Sequence, residues 1–137
     1  MKTFLDSGVL LSAWHATTKE AETALAVIEN RSRQLLTSEI VRLELLPKAI
    51  FFKQNKEANF YEDIFSKCRC DKVDAELYAA AFSLAAKYGL AAADAFNLAS
   101  AIRLGADELV TSELPGKPMY RVKEVKVVSL HAAVAAD

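Results

Sequence analysis

The amino-acid sequence predicts an α/β fold, a parallel sheet of about five strands covered by helices on both faces. Three observations carry that expectation. Short apolar runs alternate with longer segments of helical periodicity along the chain. No tight-turn signal joins two consecutive strands, so the strands do not pair as hairpins. The 137 residues hold no repeat, low-complexity tract or linker, which points to a single domain over 1–137.

The elements follow in order. "KTFLD" (2–6) is a strand ending on an acid, and "SGVLLSAW" turns directly into a helix. Residues 17–31 carry a Thr cap, acids in the first turn, and Ala21, Ala24, Leu25 and Ile28 at helical spacing. "QLLTS" (34–38) is the second strand, and Ser38 caps a helix over roughly 39–52. Residues 56–66 form an amphipathic helix with Phe60, Ile64 and Phe65, and "KCRCDKV" a weak third strand. Asp74 caps the helix "AELYAAAFSLAAKYG", which Gly89 stops. A helix over 92–104 ends at Gly105, and the strands 107–112 and 124–130 complete the chain.

Composition narrows the functional classes. With 53% hydrophobic and 26% charged residues and a net charge of −1, the chain reads as an ordinary globular protein. No apolar run is long enough to span a membrane. "MKTFLDSG" is no signal peptide, so the expected location is cytoplasmic. Cys68 and Cys70 stand too close in sequence for an easy disulfide and lack a His partner for zinc. They are read as small buried hydrophobes. Bases outnumber acids over 31–72 and acids outnumber bases over 73–115. Such a division suits metal ions beside a polyanion.

In a parallel sheet, ligands bind at the carboxyl ends of the strands. Asp6 ends the first strand and Glu113 follows the fourth, both on that edge. Asp107 and Glu108 open the fourth strand, about 15 Å away at ~3.3 Å per residue, and are set aside. Helix 39–52 offers Glu39 and Glu44, which point about 140° apart and cannot both face the site. Glu39 suits the helix dipole; Glu44, between Leu43 and Leu45, is the functional candidate. Asp94 lies near the start of its helix among alanines, with Asn97 one turn on. Carboxylates converging there repel unless cations sit among them, and an oxygen-only set suits Mg²⁺ or Mn²⁺. Each acid alone also has an ordinary reading, as a cap, a salt-bridged helix residue or a loop charge.

"TFLDSGVLLSAW", "TSEIVRLELLPKA" and "LAAADAFNLASAIRLGADELVTSE" resemble, in order and spacing, the signature segments of PIN domains, and most of all the single-domain VapC-type toxins of bacterial toxin–antitoxin pairs. The resemblance implies a PIN-like three-layer sandwich with the amino-terminal strand central. It implies that Asp6, Glu44 and Asp94 are the principal metal-binding and catalytic acids. Glu113 stands where the family most often has a fourth acid, usually Asp. Thr111 and Ser112 match polar positions that support the cluster, and Ser7 the hydroxyl after the first acid.

The implied activity is Mg²⁺- or Mn²⁺-dependent endoribonuclease cleavage. Arg42, Lys48, Lys53 and Lys56 are candidate RNA-phosphate contacts, or else a solvated helix face. The implied partners are RNA, a cognate antitoxin and a second copy of the chain, with Trp14, Phe51, Phe52 and Tyr61 serving such surfaces or the core. The alternative is a PIN-like binding or scaffold module whose catalysis is weakened at Glu113. A haloacid-dehalogenase-type phosphotransferase is rejected, because it needs an Asp where this chain has Gly8.

Overall fold

The computed structural model describes residues 1–15 and 18–131. Five strands, β1 (Lys2–Leu5), β2 (Gln34–Ser38), β3 (Arg69–Asp71), β4 (Glu108–Thr111) and β5 (Lys126–Ser129), form one parallel sheet in the order β3-β2-β1-β4-β5. The amino-terminal strand is central, as expected. Phe4 stands opposite Leu36 on one side and Leu109 on the other. All three are fully buried, as residues of a strand covered on both faces must be.

The connections are α1 (Ser7–His15) and α2 (Lys19–Glu29), α3 (Glu39–Phe51) and α4 (Asn55–Lys67), and α5 (Ala75–Tyr88) and α6 (Ala92–Arg103). Right-handed crossovers put α1–α4 on one face and α5–α6 on the other. The segment between β4 and β5, for which the sequence predicts no element, holds a short 3₁₀ turn, Pro118–Arg121.

The predicted helix ends are largely present. Ser38 Oγ accepts from Val41 N at 3.3 Å, and Asp74 Oδ1 accepts from Leu77 N at 2.8 Å. Thr18 occupies the N-cap of α2, but its side chain makes no capping bond, and Thr17 lies outside the described residues. Gly89 and Gly105 take the left-handed conformation after α5 and α6.

The same helix ending is built after α3 without a glycine. Gln54 N donates to Ala49 O at 2.9 Å and Lys53 N to Ile50 O at 3.0 Å, with Lys53 at φ 54°. A side chain in this conformation costs about 1 kcal/mol. Lys53→Gly should therefore raise stability by about that amount, seen as a higher urea midpoint at unchanged slope.

One expectation needs correction. Leu43 is exposed, so Glu44 does not sit in an apolar part of α3 but on its solvent side. Tyr61 belongs to the core, with its hydroxyl donated to Glu57 at 2.7 Å. Trp14 packs partly buried against Phe60, whereas Phe51 and Phe52 are exposed. Cys68 and Cys70 are free and half-buried, and burial pushes the Cys68 thiol up to about 12.

The amino edge of the sheet is an ion-pair lock. Glu108 is buried there and bonds Arg33 and, at 3.1 Å, Thr3 Oγ1. Asp107 accepts from Lys2 N at 2.7 Å. Both acids serve the sheet, as their position at the start of β4 predicts.

Candidate active site

Strand chemistry changes abruptly at the carboxyl edge. Asp6, Thr37, Ser38, Thr111 and Ser129 all end or follow strands there, and all are buried. Buried polar groups require partners; Thr37 and Ser129 donate to the backbone carbonyls of Leu5 and Glu113, and Asp6, Thr111 and, through Asn97, Ser38 join one another. Asp6 Oδ1 accepts from Ser7 N at 2.8 Å and Asn97 Nδ2 at 3.2 Å; Oδ2 accepts from Thr111 Oγ1 at 3.0 Å. Asn97 Oδ1 in turn accepts from Ser38 Oγ at 2.9 Å. Three donors occupy three of the roughly four acceptor sites of the Asp6 carboxylate, leaving one on Oδ2.

The other acids gather around this centre. Glu44 reaches across from α3 and accepts from Ser7 Oγ at 3.3 Å. Asp94 stands on the first turn of α6, one turn before Asn97. Burial pushes the Asp6 carboxyl up to about 6 against its hydrogen bonds, and the charges of Asp94 and Glu44 push the same way. Glu44 is raised by burial and by Asp94; Asp94 is raised by burial and by Glu113, with Lys117 opposing. No hydrogen bond contributes to the shift at Asp94. Asp6, Glu44, Asp94 and Glu113 thus share one electrostatic neighbourhood.

A PIN domain family model matches residues 3–113, which span all four acids. The chain belongs to the PIN domain family. Similar solved structures include the VapBC2 complex of Rickettsia felis bound to a DNA fragment from its promoter, with 17% identity, 94% of this chain and 98% of that chain covered, and a TM-score of 0.73. A toxin–antitoxin complex from Klebsiella pneumoniae matches at 20% identity, with coverage of 93% and 97% and a TM-score of 0.74. VapC20 of Mycobacterium tuberculosis, described as a sarcin–ricin loop cleaving toxin, matches at 18% identity, coverage of 90% and 98%, and a TM-score of 0.69. At these identities the structures establish the fold. The search of curated proteins found no match.

The supporting residues of this PIN domain divide by contact. Ser7, Asn97 and Thr111 touch the acids directly. Ser112 instead packs on α1: a Cβ added to Gly8 would lie 1.9 Å from its Oγ. Only glycine lets the first turn of α1 meet the end of β4 this closely. Glu113 is exposed, and its backbone carbonyl is held by Tyr120 Oη at 2.6 Å and Ser129 Oγ at 3.0 Å.

Ser38 was legible only as a helix cap; its second bond, to Asn97, had no sequence signal. Tyr120 and Ser129 lie in segments whose local pattern says nothing about the site. Of the basic candidates, Lys48 lines a cleft beside Glu44. Arg42 instead pairs with Glu62 at 2.8 Å and lies over the Phe65 ring. Lys53 and Lys56 are exposed around the α3–α4 turn.

PIN domains raise the question of a divalent cation. Among the described residues no three His, Cys, Asp or Glu side chains are gathered into a ready-made cage. The donor chemistry nevertheless fits a hard cation: carboxylates only, mutually repelling, with an acceptor site open on Asp6. Asp6, Glu44 and Asp94 would hold it.

Proposed function

We propose that the protein is a Mg²⁺- or Mn²⁺-dependent endoribonuclease, the toxin of a type II toxin–antitoxin pair. The observation that supports this best is the buried Asp6 at the carboxyl edge, raised by burial and coupled to Asp94 and Glu44. The solved toxin–antitoxin complexes of the same fold support an antitoxin as partner. The exposed aromatic face of Tyr78 and Phe82 on α5, continued by the half-buried Phe96 on α6, supports a second copy as another.

A divalent ion bound by the acids supplies a water of lowered pKa and neutralises charge on the leaving oxygen. The chain's own contribution is positioning. Ser7, Asn97 and Thr111 fix the Asp6 carboxylate in one orientation before any ligand arrives, and Ser7 ties Glu44 to it. Glu44, on the solvent side of α3, faces incoming substrate and is best placed to accept a proton from water.

The test is cleavage of structured RNAs by wild type and Asp94→Asn, with and without EDTA. Wild type should cleave only with divalent ions, and Asp94→Asn should lose at least about tenfold in rate. Equal rates for the two proteins, or equal rates in EDTA, would overturn the metal-nuclease reading. If neither protein cleaves and titration calorimetry finds no Mg²⁺ binding, a binding or scaffold role replaces it.

A further inference from the structure

Two helices run out from the acids side by side. Along α1, Ser7, Leu11 and His15 stand four residues apart; along α3, Glu44, Lys48 and Phe52 do the same. Residues four apart share a helix face and climb about 6 Å per step, so each stripe spans about 12 Å. All six side chains line one cleft of about 400 Å³. Ser7 and Glu44, joined at 3.3 Å, form the end next to the acids.

The far end is held rigidly. Phe52 is 58% exposed, yet the two hydrogen bonds that close α3 at Lys53 and Gln54 fix its backbone. His15 Nε2 lies 3.2 Å from Glu57, which also accepts the Tyr61 hydroxyl at 2.7 Å. An exposed aromatic ring on a hydrogen-bonded stretch of backbone, one turn beyond a lysine, is the combination that takes an unpaired base and its phosphate. A base-paired duplex offers no free base face to such a ring.

We propose that this cleft binds the nucleotide flanking the scissile phosphodiester, its phosphate on Lys48 Nζ and its base stacked on Phe52. This assignment rests on the nuclease reading of Asp6, Glu44 and Asp94.

The test uses a short, fluorescently labelled, single-stranded oligoribonucleotide kept uncleaved by EDTA, read by anisotropy across a salt series. Phe52→Ala should weaken binding about tenfold, within the ~1–3 kcal/mol of one stacked base, and Phe52→Trp should restore it. Lys48→Gln should lower the slope of log affinity against log salt by about one, while Lys67→Gln, at the far end of α4, should leave affinity unchanged. With Mg²⁺ added, Phe52→Ala should raise KM more than it lowers kcat. If wild type cleaves and Asp94→Asn does not, yet Phe52→Ala binds as wild type does, the cleft assignment is overturned and the cleft falls to a protein segment. If wild type neither binds nor cleaves RNA, the nuclease reading falls first and takes this inference with it.

Discussion

Asp6→Asn should yield a protein that is both inactive and more stable. The Asp6 carboxyl is raised from 3.8 to about 6, chiefly because folding removes it from water. An acid whose pKa rises on folding binds its proton more tightly in the folded state, so it costs stability once ionised. In EDTA buffer the Asp6 contribution to wild-type stability should be most favourable below about pH 4. Through this group the protein should lose stability as the pH rises from 3.8 to about 6, and carry the full cost above that. A shift of about two units corresponds to roughly 3 kcal/mol, an upper figure for what the neutral Asn recovers at pH 7. The unfolding temperature of Asp6→Asn should rise by about 5–10 °C and flatten with pH over this interval. Its RNA cleavage should fall by about 10²-fold or more, because the best-held carboxylate of the cluster is gone. Added Mg²⁺ should raise the wild-type transition and leave the variant's unmoved. A variant no more stable than wild type at pH 7 would show that the surrounding donors already offset the burial of the charge.

Arg33→Ala should have the opposite effect at the other edge of the sheet. Arg33 ties β1 to β4 by reaching both Glu108 and, at 2.9 Å, Thr3 Oγ1. Without it the buried Glu108 keeps only the Thr3 hydroxyl, at 3.1 Å. Leaving a buried charge unpaired costs about 3 kcal/mol, or about 10 °C in unfolding temperature for a chain of this size. The double variant Arg33→Met, Glu108→Leu should lose much less, because no charge is left unpaired. Catalysis should be spared, since this pair stands at the edge away from the acids. A loss below about 1 kcal/mol in Arg33→Ala would mean that water takes over the arginine's role.

Why some of this was legible in the sequence and some was not follows from what each feature depends on. The parallel sheet and the common edge of Asp6 and Glu113 depend on alternation and strand direction, both written locally in the chain. The start of α3 at Ser38 and that of α5 at Asp74 depend on single side chains bonding their own helix. Asn97 was seen as a neighbour of Asp94, one turn on. Its work, bridging Asp6 on β1 to Ser38 on β2, depends on three distant segments meeting. Leu43 misleads for a related reason: it is an apolar position on a helix, and only the packing of α3 decides which such positions turn inward. Glu113 was the uncertain acid in the sequence, and in the fold it is exposed, as Glu44 is.

The opposite treatment of the two sheet edges bears on how the gene behaves in the laboratory. At the amino edge each acid is matched by a donor; at the carboxyl edge the charges are left facing one another. Random substitution at the carboxyl edge will therefore often relieve the protein while disarming it. On the proposed toxin reading, a host burdened by an active copy will favour the same changes. Clones recovered for high yield should be resequenced at Asp6, Glu44 and Asp94 first, because abundance and innocuousness there are selected together.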